Sequence, residues 1–323
     1  MRRDTDNIVV DRIRGLFQIL FGLFIDFIAF VKIIFCVKLD DIDLIYSNWS
    51  RSLIGEFISK IYNKKHICHL HELYSGHFSI SPLFRNQIKW VNNSTCLFIA
   101  VSIAVKDSWS KNGLDEDKIC VVYNGINVES FERRKNRNDN TLRMVMVASI
   151  NKSKGQYYLI RAVGNLPAYI RKKIIVHYYG EETENGEIKK IISYAKYKGI
   201  NVSFMGYCNS IHRVLKNYDI GICCSRGEAF GLSIVEYMAA GLLTIAPNES
   251  GCKEIISNGV TGYLFNSFSE LTELLLEVIN DYNSNSKLMD DAISDVKNRF
   301  NSLDYSSRLM DAFMSSSVKG LLF

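Results

Sequence analysis

The sequence predicts an α/β protein of two doubly wound, parallel-sheet domains with a cleft between them. Three observations carry this expectation. The chain has 323 residues, and roughly 150 residues per domain makes that two domains. Short, continuous apolar runs alternate with helical patterns, as parallel strands covered on both faces require. The alternation occurs in two series, separated by the polar stretch ERRKNRNDN at 132–140, which lacks apolar periodicity and reads as a linker.

The first element is the most apolar part of the chain, LFQILFGLFIDFIAFVKIIFC at 16–36. At 100° per residue Asp11, Arg14, Gly15, Gln18, Gly22, Asp26, Ala29 and Lys32 share one stripe, and the rest of the wheel is aliphatic or aromatic. This is one long helix. Its fifteen Leu, Ile, Val and Phe residues favour bilayer insertion by about 4.5 to 9 kcal/mol, and Asp26 and Lys32 oppose it by about 5 to 7. The sum straddles zero. Three readings stay open: a core helix against a sheet, a helix in the membrane interface, and a span. Asp26 interrupts the run and no small-residue cleavage site follows, so a signal peptide is not expected.

The first series then runs through strand Asp43–Asn48, helix Ser52–Tyr62, strand Ile67–Leu70, helix Ser81–Asn92, strand Leu97–Val101, helix Ile103–Asn112 and strand Ile119–Val122. The second runs through strand Met144–Ala148, helix Gln156–Gly164, strand Ile174–Tyr179, helix Gly186–Lys198 and strand Val202–Met205. Helix Ile211–Asn217, strand Ile220–Cys224, helix Leu232–Ala240 and strand Leu243–Ala246 follow, and the chain after Glu270 is helical. The expected domains are 1–138 and 139–305, with a helical tail at 306–323 returning to the first domain.

Composition narrows the class. Charged residues make up 23% and the chain holds only 3 Pro, which excludes collagen-like and disordered chains. A net charge of +5 suits an anionic ligand or membrane surface, and nucleic acid would call for a denser basic face. The 8 cysteines form no C-x-x-C pair and most lie in apolar runs, so they read as reduced core residues of a cytoplasmic protein.

The segment Ser225–Glu236 carries the most chemistry. It follows a buried strand and opens a helix, at the strand end where such sheets bind ligands. The helix N-terminus offers the backbone N–H groups of Phe230, Gly231 and Leu232 to a phosphate. Glu228 precedes the helix and Glu236 lies on it, so both carboxylates can accept from ligand hydroxyls. Bland readings stand beside these: Glu236 as a solvated helix residue, Lys154 as a surface lysine, His71 as a structural histidine, and Glu254 as a helix cap. His66, His69, His71 and Glu72 invite a zinc assignment, but a third close ligand is not evident and no metal is expected.

Here a resemblance appears. Glu228-x7-Glu236 followed by Tyr-Met-Ala-Ala-Gly resembles the retaining glycosyltransferases of family 4, which have the GT-B fold of two Rossmann-like domains. Gly251–Leu264 resembles that family's G-x-x-E-I-I-x-x-G-x-x-G-x-L segment. Lys154-Gly155 resembles its K-G pair, Tyr123–Asn127 with Phe131 its N-G-I-D…F signature, Ala100-Val101-Ser102 its strand ending in Ser, and His69–Glu72 its H-x-H-[DE] segment. The set spans about residues 40 to 310.

The resemblance implies an enzyme that moves a sugar, with retention, from a nucleotide-diphosphate donor to a glycan or lipid-linked acceptor. The implied setting is bacterial surface-polysaccharide assembly. It implies Glu228 facing the donor sugar, Glu236 on the ribose hydroxyls, Lys154 on the leaving diphosphate and His71 near the reacting centre, with no metal at the donor. Phe230, Gly231 and Leu232 would offer backbone N–H groups. Ser149 stands where the family often has an Arg, and Arg226 is a candidate substitute.

One departure matters. The family opens with a strand, a Gly-rich turn and a helix, and only about 40 residues precede the Asp43–Asn48 strand, most of them taken by the apolar helix. The N-terminal domain is therefore expected to be truncated. The alternative reading is a non-catalytic or split nucleotide-sugar-binding subunit acting with a partner chain. Residues 16–36 are expected to meet that partner or the cytoplasmic membrane surface.

Overall fold

The computed structural model describes residues 24–48, 53–74, 87–134 and 141–314. They form two compact units, one up to Val122 with the segment from Leu309, the other Tyr123–Arg308.

The first unit opens with helix α1 (24–36); the part of the expected helix at 16–23 lies outside the described residues. Phe24, Phe27 and Phe35 are exposed on α1, Phe35 at 84%. Among the described residues no helix is long and apolar enough to cross a membrane. The chain then alternates through β1 (Leu44–Ser47), α2 (Ile54–Tyr62), β2 (Lys65–Leu70), α3 (Gln87–Ser94), β3 (Leu97–Ala100), α4 (Ile103–Ser110) and β4 (Ile119–Val121). The expected start of α3 at 81–86 lies outside the described residues.

All four strands are parallel, in the order β1-β2-β3-β4, with Leu44 opposite Lys65, Ile67 opposite Leu97 and Phe98 opposite Ile119. The central strands are buried on both faces: β3 is buried throughout, and Ile67, Cys68 and Leu70 of β2 are enclosed. Ser102 caps α4 by accepting from Val105 N at 3.0 Å, which stops β3 and starts the helix in one turn. His66 clasps the sheet. Its Nδ1 meets Thr95 Oγ1 and its Nε2 meets Ser47 Oγ, both at 2.8 Å. Burial lowers its pKa to about 4, so His66 is a neutral hydrogen-bonding core residue.

The second unit holds β5 (Leu142–Val147), α5 (Gln156–Asn165), α6 (Ala168–Arg171), β6 (Ile174–Tyr179), α7 (Glu187–Lys198), β7 (Asn201–Gly206), α8 (Ile211–Val214) and β8 (Ile220–Ile222). It continues with α9 (Leu232–Ala239), β9 (Leu243–Pro247), α10 (Cys252–Ile255), β10 (Tyr263–Phe265), α11 (Phe268–Asn280), α12 (Ser286–Arg299) and the start of α13 (Ser302–Phe313), whose residues from Leu309 on group with the first unit. The sheet order is β10-β9-β8-β5-β6-β7, all parallel. Leu159, Ile160 and Val163 of α5, Ile191 of α7 and Leu271 and Leu275 of α11 build one core cluster with the strands. Leu215, Tyr218, Tyr237 and Leu242 build the other. The cysteines of the described residues are free thiols, four of them buried.

Three local features depart from the sequence reading. The helix at 211–217 splits into α8 and a 3-10 turn, Leu215–Asn217, whose tighter winding buries Leu215 completely. Strand β10 and helix α6 are additional. Residues 123–134, which run into the polar stretch, group with the second unit because they bond to it. Ile126 N donates to Phe300 O at 2.8 Å and Ile126 O accepts from Ser302 N at 2.9 Å. Arg134 pairs with the buried Asp219 at 3.0 Å.

Glu56 sits in the core of the first unit, 2% exposed. Its Oε2 is buried with no hydrogen-bond partner among the described residues. Burial raises its pKa to about 7, from the usual carboxyl value of 4.5. The folded state therefore keeps a proton that the unfolded chain releases between those values, so this group lowers stability as pH rises from about 4.5 to 7. Glu56→Gln is predicted to be more stable than the parent above pH 7, by up to about 3 kcal/mol, and similar below pH 4.5. Urea unfolding of both chains at pH 4.5 and 8 measures this, and an unchanged difference between the two pH values refutes it.

Candidate active site

Lys154 and Glu228 meet in the second unit. Lys154 Nζ lies 2.9 Å from Glu228 Oε2. Both sit on loops that leave the carboxyl ends of parallel strands, beside the central pair β5 and β8, where the strand order reverses.

The loop after β5 is shaped by Asn151. Its side chain caps a 3-10 turn, Lys152–Lys154, by accepting from Lys154 N at 3.1 Å. Gly155 then turns the chain with φ +81° and opens α5. A Cβ there would lie 2.5 Å from Cys224 O, so only glycine lets this loop press against the end of β8. Gln156 closes the loop from behind, donating to Ser149 O at 2.9 Å while its own carbonyl accepts from Tyr178 Oη at 3.0 Å. Ser149, at the position of the missing Arg, spends its hydroxyl on Asn151 Nδ2 at 3.1 Å.

The loop after β8 leads into α9. Gly231 is its N-cap at φ +101°, and no side chain caps the helix. The first N–H groups, including that of Leu232, are thus left to an external acceptor such as phosphate. Leu232 is exposed and Phe230 buried. Phe230 is held from below by Tyr123 and Phe300, with ring centroids at 6.1 and 5.7 Å. Gly251 N donates to Glu228 O at 2.9 Å and Glu249 Oε1 accepts from Gly227 N at 3.1 Å, so the loop after β9 braces the one that carries Glu228. Glu236 is half-buried on α9, and burial raises its pKa to about 7. That sets it apart from a freely solvated helix residue.

Arg226 takes a different direction. It lines a cavity of about 410 Å³ with Lys152, Tyr158, Asn248, Glu249 and Phe265, its guanidinium 6.0 Å from the Tyr158 ring centroid. Glu254 is a structural bracket: its Oε2 accepts from Tyr123 Oη at 3.0 Å, and Arg299 bonds the carbonyls of Glu254 and Ile255. Burial beside Glu254 raises the Tyr123 pKa to about 12.

His71 belongs to the first unit, just beyond β2. Its Nε2 lies 2.8 Å from Asn48 Oδ1, and its ring packs on His69 with centroids 4.1 Å apart. Burial lowers its pKa. Among the described residues no group of three His, Cys, Asp or Glu side chains could hold a metal ion.

The sequence singles out Lys154, Glu228 and Glu236, while Asn151, Glu249, Asn48 and the Tyr123–Glu254 bracket emerge only in the structure. Only Asn151 left a readable signal, an Asn three residues before the last residue of a short helical turn.

Comparison with known proteins adds to this geometry. The family model of the glycosyl transferases group 1 matches residues 127–295, and that of Glycosyltransferase Family 4 matches residues 2–130. An uncharacterized glycosyltransferase of Methanocaldococcus jannaschii is 25% identical over 298 residues, spanning 85% of this chain and 75% of that protein. Among solved structures, Anabaena HepE in complex with UDP and glucose superposes with a TM-score of 0.76 at 24% identity, over 84% of this chain and 78% of that one. A glycosyltransferase from Rickettsia africae superposes with a TM-score of 0.74 at 20% identity, over 90% and 81%. The fold is thus that of the GT-B glycosyltransferases.

Proposed function

The chain belongs to the glycosyl transferases group 1 family, and from that premise we propose that it is a retaining hexosyltransferase. It moves a sugar from a nucleotide-diphosphate donor to a glycan or lipid-linked acceptor, in surface-polysaccharide biosynthesis. The contact that carries this reading is Lys154 Nζ to Glu228 Oε2 at 2.9 Å, at the N-terminus of α9. UDP as the nucleotide is supported by the UDP complex of Anabaena HepE.

Each group has a role set by its chemistry. As the bond from the sugar to the diphosphate breaks, negative charge grows on the leaving phosphate and positive charge on the sugar ring. Lys154 and the free N–H groups of α9 stabilise the first, in place of a divalent ion. Glu228, beside Lys154, faces the second. Glu236 accepts from the ribose hydroxyls when it is ionised. His71 is the candidate acceptor for a sugar hydroxyl. The α1 face bearing Phe24, Phe27 and Phe35 rests on the inner surface of the cytoplasmic membrane.

The assay is release of UDP from UDP-sugars by the full chain with lipid-linked or oligosaccharide acceptors, and the anomeric configuration of the product. Tight UDP-sugar binding without turnover would instead identify a donor-binding subunit. Glu228→Gln is predicted to cut transfer by about 10²- to 10³-fold and to leave the fold and UDP affinity near those of the parent. Turnover at the parent rate rules out its role. UDP affinity is expected to fall as pH drops below about 7, because Glu236 takes up a proton near that value and loses acceptor capacity. Calorimetric titration at pH 6 and 8 tests this, since Glu236→Gln must flatten the difference. Replacing Phe24, Phe27 and Phe35 with Ser is expected to reduce co-sedimentation with anionic vesicles at least severalfold. Equal sedimentation of both proteins excludes α1 as the membrane contact.

A further inference from the structure

Four side chains at the carboxyl ends of β1 and β2 form one hydrogen-bonded row. His69 Nδ1 lies 2.5 Å from Tyr46 Oη. Tyr46 Oη lies 3.4 Å from Asn48 Oδ1, and that oxygen lies 2.8 Å from His71 Nε2.

The buried end sets the proton at His69, and the Asn48 oxygen sets the proton at His71. His69 is 0% exposed, and its Nε2 has no hydrogen-bond partner among the described residues. An orphaned N–H at that place is costlier than an unused lone pair. Burial and the neighbouring His71 hold the His69 ring neutral, its pKa lowered to about 3. One nitrogen therefore carries the single proton, and it is Nδ1. Nδ1–H donates to Tyr46 Oη, and the phenol hydrogen of Tyr46 passes to Asn48 Oδ1. Asn48 thus turns its carbonyl oxygen, an acceptor only, toward His71. His71 must answer with Nε2–H. Its Nδ1 is left holding the lone pair.

We propose that Asn48 is a positioning residue that fixes His71 as the neutral Nε2–H tautomer, so that His71 Nδ1 accepts a hydrogen bond from a hydroxyl of the sugar substrate. The role toward substrate rests on the proposed function, while the tautomer itself does not. A neutral acceptor matches a polyhydroxylated ring. It mismatches a phosphate, which needs donors.

The test uses the full chain labelled with ¹⁵N. Long-range ¹H–¹⁵N correlation spectra report which ring nitrogen carries the proton, and the His71 signal is the one lost in His71→Gln. The expected result is Nε2–H at His71 and Nδ1–H at His69. In Asn48→Ala the His71 signal should move to a mixture of tautomers. Asn48→Asp, which keeps the acceptor oxygen, should retain Nε2–H and raise the His71 titration midpoint by about one pH unit or more. This variant keeps the test open if Asn48→Ala fails to fold. Nδ1–H at His71 in the parent overturns the inference, as does an unchanged signal in Asn48→Ala or an unmoved midpoint in Asn48→Asp.

Transfer assays separate the two layers. Asn48→Ala should lower kcat/KM for transfer by roughly three- to tenfold, with UDP affinity unchanged. If the tautomer shifts as expected and transfer does not change, the assignment of Asn48 stands as a tautomer lock and the contact of His71 with substrate is refuted.

Discussion

The close approach of Gly155 to the end of β8 is the constraint on which the second unit's site depends. With no Cβ in the way, the Lys152–Gly155 loop packs directly on the Cys224 carbonyl. The loop is then fixed from two sides, by the Asn151 cap in front and by Gln156 behind. A lysine on a mobile loop would spend entropy each time it met an anion. Here that cost is met in folding, and the ammonium of Lys154 already stands at hydrogen-bond distance from Glu228. The braces on the other loop, Glu228 O to Gly251 N and Gly227 N to Glu249, do the same for the carboxylate. Both charged groups are therefore supported by backbone contacts, which hold position better than flexible side chains do.

Desolvation acts throughout the molecule, and its result depends on what each buried group can bond. His66 has two hydroxyl partners and remains a quiet neutral clasp. Glu56 has an oxygen with no partner among the described residues, and burial raises its pKa toward neutrality. Glu236 feels the same push while half-buried on α9. Perturbed groups at strand ends are where function is expected, while similar groups inside the sheet are structural. The location of Glu56 in an enclosed apolar core and that of Glu236 behind a helix N-terminus separate these two cases.

Much of the fold was legible because parallel strands buried on both faces write continuous apolar runs, as at Leu97–Ala100 and Ile220–Ile222. Lys154 and the Glu228–Glu236 pair each stand in a short motif, and so the sequence alone offers them as candidates. The partners Tyr46, Asn48 and His69 were not, since their row depends on strand register, which no single segment encodes. The register that sets Tyr46 opposite Ile67 and Ser47 opposite Cys68 is what brings Asn48 alongside His71. Domain limits were harder to read for a similar reason. The polar stretch marks a change of composition, but Ile126 bonds to residues far away in sequence, so compactness and composition divide the chain at different places.

That long-range pairing bears on how the protein is made. Ile126 closes onto Phe300 and Ser302, and in the first unit the Tyr46 ring meets Phe313 at 5.4 Å between centroids. Each unit thus receives a late piece from near the C-terminus. A ribosome adding about 5–20 residues per second delivers the strands of the first unit long before its closing contact. The nascent chain must wait with both units unsealed until residues 300–313 have been made. Contacts of such high sequence separation slow folding, and apolar surface left open in the interval is where a chaperone would first find this protein.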